Sequence, residues 1–91
     1  PVILVVGLRL GCINHASLTA EALRARGLTL AGWVANLVDP AMQYVEDNVT
    51  CLNQCLQAPC LGFVPHLANP TAAQVALHLR MDAINLLLET P

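Results

Sequence analysis

Five consecutive apolar residues, 2–6, open the chain in "PVILVVG" with no polar position among them. Val, Ile and Leu in an unbroken run, without alternation, mark a strand covered on both faces, normally a central strand of a parallel sheet. The pattern then changes period. "INHASLTAEALRARG" predicts a helix with Asn14 as its N-cap and Gly27 as its stop. "LTLAGWVAN", residues 28–36, predicts a second strand. In "DPAMQYVEDNVTCLNQCL" Asp39 is expected to cap and Pro40 to take the first helical position, with Met42, Val45, Val49, Leu52 and Leu56 on one face at steps of three and four. "CLGFVPHL" predicts a third strand ending at Pro65. Asn69 and Pro70 repeat the cap-plus-proline start, for a helix over residues 71–88 with Val75, Leu79, Ile84, Leu86 and Leu87 as buried candidates.

Strand and helix alternating at this spacing predict an α/β fold with a parallel sheet and right-handed crossovers. Ligands of such sheets bind beyond the carboxyl ends of the strands, which singles out residues 7–15, 36–40 and 65–71. Composition adds a second expectation. The 91 residues are 56% hydrophobic and 11% charged, against about 25% charged in a typical soluble domain. Together with a first strand that needs neighbours on both sides, this points to a single partial domain over 1–91, with apolar faces that a partner or further chain covers.

Charge narrows the function classes. A net charge of −2, four scattered arginines and three aromatics offer neither a basic patch nor a stacking platform, so no nucleic acid is expected. The apolar runs are too short to cross a membrane. Four cysteines without a secretory signal in the sequence read as reduced, packed thiols of a cytoplasmic protein; none of their spacings is that of a structural zinc site, and no metal ligand is expected. Cys12 and His15 invite a thiol-imidazole reading, but no third group orients the pair. Gly7 and Gly11 in "GLRLGCINHA" stand where a strand turns into a helix, and amides at such a helix start bind carboxylate or phosphate. Asn36 closes the second strand with a side chain that pairs a donor with an acceptor, which suits a purine edge; ending the strand and starting a turn is an equal reading. The phosphate loop G-x-x-x-x-G-K-[ST] does not occur in the 91 residues.

In this order, "LGCINHA", "GWVAN" and "APCLGFVPHLANP" resemble the dethiobiotin synthetase family over nearly the whole chain. The resemblance implies three β-α units from the C-terminal half of a doubly wound sheet of the P-loop type, working as a homodimer. It implies a ligase of biotin biosynthesis that closes the ureido ring of dethiobiotin from 7,8-diaminononanoate, CO2 and ATP with Mg2+. Gly11, Cys12 and Asn14 would hold the carboxylate tail of the diamine bound in the other subunit. Asn36 would read adenine beside Leu37, with Pro65, His66, Leu67 and Thr71 around the nucleotide. No catalytic residue or metal ligand is implied within these residues; both, with the phosphate loop, would lie in an N-terminal half. The pattern departs from the family at "LANPTAA", one residue short and with Thr71 where an acidic residue is common, and at Asn48, where a tyrosine is usual and Tyr44 stands one turn earlier. The alternatives are another P-loop ATPase or amidating ligase, and a non-enzymatic interaction module.

Overall fold

The computed structural model describes residues 1–89. Three parallel strands, β1 (Val2–Leu8), β2 (Leu30–Leu37) and β3 (Cys60–Val64), form one sheet in the order β1-β2-β3. Helices α1 (Cys12–Ala25) and α2 (Val45–Leu56) supply the two crossovers. The short α3 (Ala72–Ala76) and α4 (Met81–Glu89) follow β3. The α/β class and the three-unit order agree with the hydrophobic pattern.

Two apolar layers form because successive strand residues face opposite sides. Val6, Leu8, Trp33 and Ala35 are buried against α1 and α2 through Cys12, Ala16, Ala20, Leu52 and Leu56. Trp33 is fully buried, and its indole N–H donates to Asn53 Oδ1 at 3.0 Å, so its one polar atom is satisfied. On the other face Val34, Leu61 and Val64 meet Leu67, Val75, Leu79, Ala83, Ile84 and Leu87. Leu86, expected inside, is exposed, and Ala83 takes a place in that layer.

β1 departs from the expectation of a central strand. Among the described residues it pairs only with β2, and its odd-numbered side chains are open, with Ile3 37% and Val5 61% exposed. The run Val2–Val6 is apolar on both faces, but these residues cover only the even-numbered one.

Three helix starts also differ. α1 begins at Gly11, whose φ of 89° is the left-handed region, so the helix starts before Asn14 and that residue lies inside its first turn. The predicted stop holds: Gly27 N–H bonds Arg24 O and Leu28 N–H bonds Leu23 O, both at 3.0 Å, the paired bonds of a Schellman ending. Asp39 does not cap α2. Its carboxylate accepts from Ala41 N–H and its carbonyl from Met42 N–H, closing a turn, and the helix begins after Tyr44 at a φ of 58°. The last predicted helix is split. Thr71, not Asn69, caps α3 in a reciprocal box with Gln74. Leu79 then bridges antiparallel to Gly62, with Arg80 N–H on Leu61 O at 2.7 Å, before α4 resumes. A side chain at Gly62 would strike the His78 carbonyl, so this close approach requires glycine.

Candidate functional site

Parallel strands place all their carboxyl ends on one edge, and the three segments singled out in advance meet there. Asn36, one residue from the end of β2, lies opposite Gly7 of β1 and Val64 of β3. It shares the β2 face with Val34, the face toward α3 and α4. A groove of about 550 Å³ opens at this edge. Asn36, Leu37, Pro65, His66 and Leu67 all line it, and Leu79 of the α3–α4 joint helps close it. Val5, Val34 and Val64 supply apolar sheet wall.

The chemistry of this groove is selective. Its lining contains no Asp, Glu, Lys or Arg; Asn36 and His66 carry its polar side chains. Asn36 is half-buried and His66 exposed. A flat, weakly polar group with donor and acceptor edges fits such a place, whereas a polyphosphate finds no cation in it. Thr71 is not in the lining: its hydroxyl accepts from Gln74 N–H at 3.2 Å as the cap of α3. Val38 lies in the segment 36–40 expected to meet ligands, though it was not named there, while Val75 and Leu79 belong to the groove and carried only the signal of apolar helix spacing.

At the start of α1 the three expected residues separate. Gly11 is exposed and sets the turn. Cys12 is buried, 2% exposed, and its thiol points toward Asn48 Oδ1 at 3.9 Å on α2. Its amide is committed to Arg9 O at 3.0 Å. Asn14 is exposed on the first turn. The amide side chain of Asn48 also donates to Tyr44 O at 2.9 Å, which joins the start of α2 to the start of α1. A second hollow of about 360 Å³ beside β1 is lined by Arg9, Cys12, His15 and Thr19 among others. No hydrogen bond joins Cys12 to His15 among the described residues, so the thiol-imidazole reading gains no support.

The remaining cysteines differ from the expectation of packed thiols. Cys60 is half-buried, but Cys55 is exposed and Cys51 half-buried on α2. Among the described residues no group of three or more His, Cys, Asp or Glu is placed to hold a metal ion. No described helix is long and apolar enough to cross a membrane.

Several known proteins are similar to this chain in sequence. The ATP-dependent dethiobiotin synthetase of Aromatoleum aromaticum is 60% identical over 81 residues, 89% of this chain and 36% of that protein. The enzyme of the same name from Janthinobacterium sp. (strain Marseille) is 62% identical over 84 residues, 92% of this chain and 36% of its own length. That of Pseudomonas aeruginosa strain PA14 is 57% identical over 86 residues, 94% of the chain and 38% of its own length. The resemblance to dethiobiotin synthetase is therefore real, and the chain spans little more than a third of the length of these relatives. The C-terminal placement implied by the resemblance forms no part of what these matches establish. The family pattern described as an AAA domain matches residues 1–74, in keeping with an α/β fold of the P-loop type, and the chain belongs to that family.

Proposed function

We propose that this chain is the base-binding and substrate-tail-binding part of an ATP-dependent ligase that closes the ureido ring of dethiobiotin. In that reaction a carbamate forms from CO2 on 7,8-diaminononanoate, ATP phosphorylates it, and the second amine attacks the mixed anhydride. The observation that carries the reading is the groove at the carboxyl ends of β2 and β3, where Asn36 and Pro65–Leu67 come together without a charged side chain. Adenine suits this setting. The amide of Asn36 offers one acceptor and two donors to a purine edge, and the His66 ring and apolar walls offer flat contact. The ring nitrogens and exocyclic amine are thereby held in one orientation and water is kept from the base. The triphosphate would extend out of the groove toward groups outside these 91 residues, since the phosphate loop motif is absent from them.

Mg2+ does not fit the residues present. The groove lining has no carboxylate, and the described residues offer no cluster of metal ligands. The start of α1 supports the second role. Cys12 N–H is committed to Arg9 O and His15 N–H to Gly11 O, but Asn14 is exposed on the first turn, where a helix terminus attracts a carboxylate. In the proposed homodimer that carboxylate belongs to the diamine held by the other subunit.

Steady-state kinetics on the natural polypeptide that contains this sequence test both roles. Asn36→Ala is expected to raise KM for ATP roughly 10-fold, as befits loss of one hydrogen-bonded pair, and to leave KM for the diamine within about twofold. Asn14→Ala should do the reverse. An Asn36→Ala enzyme with unaltered ATP dependence would remove the base-pocket assignment, and an Asn14→Ala enzyme with unaltered diamine dependence would remove the tail-binding one.

A further inference from the structure

Cys51 and Cys55 lie one turn apart on α2, away from the groove, and their sulfurs stand 3.8 Å from each other. Neither residue lines the nucleotide groove or the hollow beside β1. In the reduced protein the two share an S–H···S contact. That contact, then burial, raises the Cys51 thiol pKa above its ordinary value. Cys55 is exposed, so the pair is accessible from solvent.

Two sulfurs each about 2.3 Å from a tetrahedral cation are separated by about 3.8 Å. The observed separation of 3.8 Å therefore accepts a bridging soft cation without moving the helix. A disulfide is a poorer fit. It needs Cβ atoms roughly 3.5–4.5 Å apart, whereas side chains at i and i+4 on a helix hold theirs about 5–6 Å apart. We propose that Cys51 and Cys55 form an open two-thiolate site for a soft d10 cation of the Zn2+ and Cd2+ class. The cation displaces one proton from each thiol, which leaves for solvent, and takes two thiolate bonds. Water or a small donor fills the other two positions. The site is independent of the ligase reading, because no residue is shared with the groove or with the start of α1.

Cd2+ is the probe. The natural polypeptide, kept reduced by a phosphine, is titrated while the thiolate-to-cadmium charge-transfer band in the ultraviolet is followed. The band should saturate at one cation per chain. Cys51→Ser and Cys55→Ser should each abolish that saturation, and Cys12→Ala and Cys60→Ser should leave it. No band while the thiols remain reactive, or a band that survives in the Cys51→Ser, Cys55→Ser double variant, overturns the proposal. A far-ultraviolet circular dichroism spectrum unchanged by the substitutions separates loss of the site from loss of the helix.

Discussion

Cys12 and Asn14 are two residues apart and have opposite environments. Cys12 points into the layer between the sheet and α2, where its thiol fills space beside Asn48. Asn14 points to solvent at the head of α1. Replacing the buried thiol by a methyl removes packed volume and nothing reactive, so Cys12→Ala should cost about 1 kcal/mol of stability. KM values for both substrates should stay within about twofold, since the helix start is held by backbone bonds and not by that sulfur. Chemical denaturation together with initial-rate kinetics checks this. A variant of unchanged stability that had lost turnover would return the thiol to the chemistry. The sequence reading of Cys12 as a packed thiol agrees with its burial, whereas Asn14 reads as the N-cap and lies inside the first turn. The positive φ of Gly11 starts the helix at Cys12, and that phase turns the thiol inward. Glycine in the sequence permits this conformation without revealing that it is used.

At the scale of elements, what was legible was each change of period: the two crossover helices, three strands and the apolar face of α2 all follow the hydrophobic pattern. What escaped was how a polar residue spends its hydrogen bonds. Asp39 reads as a helix cap, but it closes a turn on Ala41 and Met42. The break between α3 and α4 escaped too, because Leu79 fits helical spacing while its backbone pairs with Gly62 of β3. That pairing joins the C-terminal helices to the groove, since Leu79 both bridges the strand and lines the cavity. Gly62→Ala drives a methyl against the backbone of His78, which no rotamer change relieves. We expect a loss of about 1–3 kcal/mol, the usual cost of overpacking, together with weaker ATP binding. A denaturant midpoint and a nucleotide titration on the same variant measure the two effects. Full stability with normal ATP affinity would show that the joint yields freely and does not shape the groove.

For the whole molecule, the composition and the open face of β1 have one physical origin. Ile3 and Val5 lie exposed on the sheet, and Leu10, Leu18, Leu28, Leu77 and Leu88 add further exposed apolar side chains. A surface of this kind is costly in water and drives association. The candidate groove meanwhile has a largely apolar lining with Asn36 and His66 as its polar side chains and no cation for phosphates. Residues 1–91 produced alone should therefore self-associate in sedimentation, and amides of the central β2 should exchange more slowly than those of β1, which has one neighbour among the described residues. The same material should form no dethiobiotin from diamine, CO2, ATP and Mg2+. Two results would break this account in different places. A monomer with β1 as well protected as β2 would mean that the open face needs no cover. ATP-dependent ring closure by these residues alone would place phosphate binding and catalysis within them, and the division between base-binding and reacting parts would fall.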